Sequence, residues 1–420
     1  MSFQQGVSGL NASSKNLDII GNNIANANTI GTKIARAEFA DVYAKALGGG
    51  GNTAVGIGVT IATVAQQFTQ GNISTTENPM DVAINGNGFF QLQEGTSPVQ
   101  YSRNGQFKVN RDGFIVNNSG GRLIGYQADN AGVIQPGVAL PLRLPTAGVS
   151  PRATSKLDLE LNLDARQEVT TPVGTPMIDY GNVDTFNNAT GLTIYDAKGQ
   201  EISMTYYFQK SAQDTWNVFA TANGVTVGGT AADPQPVSTV VFSADGGQVL
   251  SPAGLVQLNV PATVTPTGAN TRPVLGIDLN FSAATQFGVP FGPTNIAQDG
   301  FTAGLLAGIG VEADGIIMAR YSNGQSKAAG QVELAIFRNP QGLQPSGNNS
   351  WTRTFDSGDP VVGEPGGGSR GVLQSGALEE SNIDLTKQLV DMITAQRSYQ
   401  ANAQTIKTMD QVLQTLVNLR

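Results

Sequence analysis

The sequence contains neither cysteine nor histidine in 420 residues. Without Cys, disulfides, thiolate nucleophiles and Cys-ligated metals are excluded outright. Without His, the commonest general base and a leading metal ligand are missing, and every Ser-His-Asp or Cys-His arrangement goes with them. Any catalysis would have to run on carboxylates, Lys or Tyr. Charge is sparse as well: Asp, Glu, Lys and Arg make up 13% of the chain, against roughly 25% in soluble proteins. Much of the surface must therefore be Asn, Gln, Ser, Thr and Gly, which make many weak polar contacts. The net charge of -8 leaves no basic stripe to displace counterions from phosphates, which argues against nucleic acid and anionic membranes as partners. No run approaches the roughly 18 apolar residues of a membrane span. The start, MSFQQGVSGL, has neither a basic n-region nor a continuous apolar h-region. Neither membrane insertion nor a cleaved Sec signal is expected.

What is present is concentrated at the two ends. From Phe3 the positions Val7, Leu10, Ser14, Leu17, Gly21 and Ile24 advance in steps of four and three. From Leu385 so do Leu389, Met392, Gln396, Tyr399, Ala403, Ile406, Asp410, Leu413 and Val417. Both series suit a helical seam. Ser14, Gly21, Gln396 and Asp410 weaken a simple two-stranded zipper and leave room for packing among several neighbours. Either face alone also suits a helix docked on its own domain. Gly6, Gly9 and Gly21 each cost roughly 1 kcal/mol relative to Ala in a helix interior, so the N-terminal helix needs a partner to supply its stability. Residues 377–420 contain no Gly or Pro, and Ser381-Asn382-Ile383-Asp384 offers a capping-box-like start. A helix of about 35 residues, roughly 50 Å long, is expected to follow.

Between the ends the texture is that of short strands and Gly-rich turns. After the Asn-rich exit from the first helix, a natural turn falls at Gly31, and Gly48–Gly51 marks a loop. Asp81–Ile84, Gly88–Leu92, Gln106–Val109 and Gly113–Val116 read as consecutive β-hairpins. Further strands are expected at Lys156–Leu163, Gly191–Tyr195, Ile202–Gln209, Thr215–Ala220, Asp314–Tyr321 and Gln331–Phe337. The chain is thus expected to be mainly β with α-helical termini. Nested β-barrel-like or sandwich-like domains accompany a coiled-coil-like pair of terminal helices. The expected divisions are a terminal helical assembly domain at 1–30 and 381–420, an inner β-domain at 31–145 and 285–380, and an inserted outer β-domain at 146–284. Nesting brings chain entry and exit together, so that the terminal helices can pair.

Signals of other chemistry are weak. Asp112-Gly113, Asp245-Gly246 and Asp314-Gly315 lack the spaced oxygens of a calcium loop and read as turns. Gly86-Asn87-Gly88 lacks the third glycine and following helix of a dinucleotide loop and reads as a hairpin turn. Glu379 and Glu380 lie just before the last helix, where its dipole favours acids. Trp216 and Trp351 read as packing residues. No catalytic, cofactor or metal site is expected.

Three ordered blocks carry a family resemblance. Residues 21–33 read GNNIANANTIGTK, residues 78–90 NPMDVAINGNGFF and residues 392–402 MITAQRSYQAN. With these the chain resembles the bacterial flagellar axial family of rod, hook and hook-associated proteins; Thr32 stands where the family more often has an aromatic residue. Residues 192–199 (LTIYDAKG), Tyr206-Tyr207-Phe208, Thr215-Trp216, 298–304 (QDGFTAG) and 319–325 (ARYSNGQ) are similar to the hook members, whose large insertion rod proteins generally lack. Residues 166–180 fit that pattern poorly.

The resemblance implies a structural subunit that polymerises with itself into a flexible tube joining the motor's rod to the filament and transmitting torque. It also implies export through the flagellar type III apparatus, location in the extracellular hook, and contact with rod, hook cap and hook–filament junction proteins. The polymerisation interface expected from the two stripes is Phe3, Val7, Leu10, Leu17, Ile24, Leu385, Leu389, Met392, Tyr399, Ile406, Leu413 and Val417. A distal rod or hook-associated protein is the alternative within the family. A secreted glycosidase or carbohydrate-binding β-protein, which needs a carboxylate pair in a cleft, is the alternative outside it.

Overall fold

A computed structural model describes residues 2–42, 56, 58–129, 131–145, 148–171 and 177–418, with side chains from Phe3 to Thr415 within those ranges. The glycine loop at 48–51 and the side chain of Val417 lie outside the described residues. The chain divides into two compact units, Met1–Thr146 with Ala307–Arg320 and Ser326–Arg420, and Ala147–Leu306 with Tyr321–Gln325.

In the first unit, helix α1 spans Ser2–Ala25 and helix α2 spans Leu385–Asn418. The cap of α2 is Asp384, whose Oδ1 accepts from Lys387 N at 3.1 Å, with Ser381 Oγ accepting from Ile383 N just before it. After α1 the chain turns at Gly31, where φ is +73° and a Cβ would lie 2.7 Å from Asn104 N, so only glycine fits. An antiparallel ribbon of Ala35–Val42 and Gly58–Gln66 follows and packs on α1.

The main sheet of this unit interleaves chain from before and after the insertion. Ser326–Val332 pairs with Arg122–Gln127, and Leu334–Ile336 with Phe89–Gln93. An apolar cluster of Phe89, Tyr101, Ala335, Phe337, Leu343 and Trp351 packs beneath it. The expected strand at 331–337 breaks at Glu333, and its two halves take different neighbours.

Consecutive hairpins describe only part of the 78–126 stretch. Phe89–Gln93 does pair with Gln100–Ser102, and Lys108–Val109 with Ile115–Val116. Val82–Asn85 instead pairs with Val372–Ser375, and Ile73–Thr75 with Ala377–Glu379. Gly86-Asn87-Gly88 is therefore a crossover between sheets and not a hairpin turn. A Cβ on Gly86 would meet Gly371 Cα at 2.9 Å, and Gly371 N donates to Asn87 O at 2.7 Å. Close backbone approach explains Gly86, and the left-handed backbone at φ +137° explains Gly88; neither is a chain reversal.

The second unit packs two sheets around one core. One sheet is ordered Val256–Val260, Val274–Asn280, Lys156–Asn162, Gly292–Gln298; the other runs through Asn188–Tyr195, Glu201–Ala212, Thr215–Ala222, Ser238–Phe242 and Val249–Ser251. Leu157, Leu159 and Leu161 alternate with Asp158 and Glu160, so one face of their strand enters the core. They meet Tyr206, Phe208 and Trp216, all buried. The unit runs past the expected end at 284, because Gly292–Gln298 is hydrogen-bonded to Lys156–Asn162. The Asp-Gly pairs sit in turns, as at Gly246, where φ is +70° and N donates to Ser243 O at 2.8 Å.

Candidate functional site: the paired terminal helices

The two terminal helices lie antiparallel. Near the start of α1, a Cβ on Gly6 would touch Ile406 Cγ1 at 3.1 Å, and one on Gly9 would stand 2.9 Å from Asn402 Nδ2. Asn402 Nδ2 also donates to Ser13 Oγ at 3.4 Å. Near the end of α1, Asn23 Nδ2 donates to Gln388 Oε1 at 3.0 Å. The residues of α1 that meet α2 are therefore Gly6, Gly9, Ser13 and Asn23, which share one helical face displaced by one position or so from the apolar stripe. Small side chains let the two backbones approach. Two of the three glycines that weaken the isolated helix, Gly6 and Gly9, are positions of close contact, whereas a Cβ on Gly21 would meet nothing within 4 Å.

About half of the apolar stripe is consequently left exposed beside the intrachain contact. Phe3, Val7, Leu385, Leu389, Tyr399 and Leu413 are exposed, Leu389 and Leu413 by half or more. Leu10, Leu17, Ile24 and Met392 are half-buried, and Ile406 meets Gly6. Val390, Ile393 and Val412 add exposed apolar area on α2 that the heptad reading passed over.

Beside the helix pair, a polar cluster locks the N-terminal exit to the C-terminal entry. Asn23 accepts from Ala35 N at 3.0 Å and donates to Ala35 O at 2.8 Å while holding Gln388. Asn382 accepts from Ile34 N at 2.8 Å and donates to Gln67 O at 2.9 Å. Glu379 lies in a strand, not at the helix terminus, and is fully buried. Its Oε1 accepts from Lys33 Nζ at 2.6 Å and from Gly71 N at 2.9 Å, its Oε2 from Arg103 Nη1 at 3.1 Å, and its carbonyl from Gly31 N at 2.9 Å. Burial pushes both the Lys33 ammonium and the Arg103 guanidinium below their ordinary pKa values, opposed by the Glu379 charge. Sequence reasoning found Lys33 only as the end of a motif and assigned Glu379 to a helix dipole. The one available signal was an ionisable residue at the end of an otherwise apolar and Asn-rich block.

Family models match four segments of the chain in order: "Flagella basal body rod protein" over 3–33, "Flagellar hook protein FlgE/F/G D1 domain" over 83–151, "Flagellar basal body protein FlaE D2 domain" over 162–301, and "Flagellar basal body rod FlgEFG protein C-terminal" over 374–419. The chain is 38% identical over 425 residues to the flagellar hook protein FlgE of Salmonella typhimurium, covering 100% of both chains. It is 39% identical over 429 residues to that of Escherichia coli, again covering 100% of both. The chain belongs to the flagellar hook protein family. It is a structural subunit of the bacterial flagellar hook, and the full-length matches, insertion included, favour the hook over the rod. The crystal structure of Helicobacter pylori flagellar hook protein FlgE2 shares its fold, with a TM-score of 0.53 at 14% identity over 73% of this chain and 100% of that one.

Proposed function

We propose that this hook subunit assembles through the outward faces of α1 and α2 into a helical tube that couples the motor rod to the filament and transmits torque while bending. The observation that carries this reading is that Gly6, Gly9, Ser13 and Asn23 of α1 face α2 within the chain, while Leu389 and Leu413 of α2 remain 50% and 53% exposed. The interface comprises Phe3, Val7, Leu10, Leu17, Ile24, Leu385, Leu389, Met392, Tyr399, Ile406, Leu413 and Val417. Fully burying a Leu-sized side chain contributes roughly 1.5–3 kcal/mol, so a few such positions per subunit offset the ordering of interface side chains. A head-to-tail contact whose rotation does not close yields a filament.

The terminal helices act as the assembly domain, the remainder of the first unit as an inner β-domain and the second unit as an outer one. With 13% charged residues, the β-units present weak polar surfaces that slide as the tube bends. The subunit reaches the extracellular hook through the flagellar type III apparatus, a route suited to a chain without disulfides. It meets rod, hook cap and junction proteins at the tube's ends and performs no catalysis. The test is Leu389→Asp with Leu413→Asp. The expected result is a monomer with unchanged circular dichroism that forms no polymer in sedimentation or electron microscopy; normal tubes would refute the assignment.

A further inference from the structure

Phe355 is 100% exposed, yet the loop that carries it is pinned. Thr354 N donates to Ser357 Oγ at 2.9 Å, and that hydroxyl donates to Thr354 O at 2.9 Å. Thr354 Oγ1 donates to Gly342 O at 2.5 Å and Asn339 Nδ2 to Asp356 O at 3.1 Å. Gly342 admits the loop, since a Cβ there would stand 2.5 Å from Ser357 N. An ion pair between Arg353 and Asp359 closes the base. A lone exposed apolar side chain is ordinary; a ring presented wholly to solvent on a hydrogen-bonded loop is preorganised for contact and loses little entropy on docking.

The same turn borders a cavity. Pro340 opens the turn Pro340–Gly342 that buttresses the loop, and it also lines a pocket of about 210 Å³ with Phe68, Gly88, Phe89, Phe337 and Arg103. Part of the wall is an edge-to-face aromatic cluster, with polar Asn87, Arg103 and Ser369 also lining the pocket: Phe89 lies 5.5 Å from Phe68 and 5.9 Å from Phe337, with the Arg103 guanidinium 5.3 Å over its ring. One more ring entering there would extend that cluster with the geometry aromatic pairs prefer. Phe355 does not enter the pocket of its own chain, since all of its surface is exposed.

We propose that Phe355 of one subunit seats in this aromatic pocket of a second copy of the chain. This rests on the self-assembly argued above but uses a β-domain surface independent of the terminal helices. A projecting ring complementary to a pocket elsewhere on the same molecule makes a heterologous contact, which propagates instead of closing.

The absence of Cys makes the test clean. Phe355→Cys and Ser369→Cys, the latter at the exposed pocket mouth, are combined, assembled into polymer and treated with a short bis-maleimide. A ladder of dimers, trimers and higher species on denaturing gels is expected from the double variant and not from either single one. Only monomer from intact polymer overturns this contact while leaving assembly through the helices standing. Dimers without higher species also overturn it, in favour of a closed reciprocal pair. Failure of the unmodified chain to polymerise at all overturns both readings. Independently, Phe355→Ser should raise the critical concentration for polymerisation about tenfold without changing monomer stability; an unchanged critical concentration counts against the contact.

Discussion

Lys33 Nζ lies 2.6 Å from Glu379 Oε1, with neither side chain exposed to solvent. The pair ties the segment leaving α1 to the segment entering α2 across 346 residues of sequence. Arg103 makes the second contact to the same carboxylate, so two buried cations share one anion. Such a cluster specifies an arrangement more than it adds stability, because desolvation offsets much of the attraction, while removing one member leaves a charge uncompensated.

The consequences of deleting its members should therefore differ. Glu379→Gln leaves both Lys33 and Arg103 buried without a counter-charge, whereas Lys33→Met leaves Glu379 still paired with Arg103. Breaking a buried pair costs about 3–5 kcal/mol, and Glu379→Gln should fall at or above the top of that range with Lys33→Met below it. Urea unfolding of the two variants checks the ranking. Equal losses would mean that Arg103 contributes nothing to the carboxylate's compensation.

Gly9→Leu should unseat the helix pair. Even its Cβ would come within 2.9 Å of Asn402 Nδ2, and overpacking of this kind costs about 1–3 kcal/mol despite the gain in helix propensity. Reduced helical ellipticity and faster amide exchange in α1 are the expected signs in the monomer. Adding Asn402→Ala opens the space and should recover part of the loss. No recovery would place the damage somewhere other than this contact.

Alkaline stability should respond to Tyr126. Its hydroxyl donates to Glu333 Oε1 at 2.7 Å, and burial together with that buried carboxylate pushes the phenol up from 10.0 to about 12. Between these values the folded state binds the proton that the unfolded state has released, so the stability due to Tyr126 is whole below pH 10 and lost as pH rises through about 12. Lys33, lowered by burial, contributes with the opposite sign at alkaline pH. Tyr126→Phe should be less stable than the unmodified chain at neutral pH and lose less between pH 10 and 12. Parallel curves from chemical denaturation at each pH would show that Tyr126 does not carry this dependence.

Local spacing carried a large part of the architecture. Heptad steps and the lack of Gly and Pro announced α2, and the expected start at Ser381–Asp384 ends on its capping residue. A strand was expected at Lys156–Leu163, and one spans Lys156–Asn162. The apolar stripe was legible too, but the face that meets the partner helix was not, because Gly6, Gly9, Ser13 and Asn23 have no hydrophobicity for a period to reveal. The crossover at Gly86–Gly88 was misread as a turn, since a glycine needed for close approach looks the same in sequence as one needed for reversal.

By itself the sequence determined the chemistry that is impossible without Cys and His, the helical ends and the β interior, because these depend on composition and on residues a few positions apart. Only the tertiary structure decided that Val82–Asn85 pairs with Val372–Ser375, that Glu379 is buried between Lys33 and Arg103, and that α1 turns Gly6, Gly9, Ser13 and Asn23 toward α2 while Phe3 and Val7 stay exposed. Each of these joins groups far apart in the chain. Their energy comes from desolvation and contact in three dimensions, which no local period encodes.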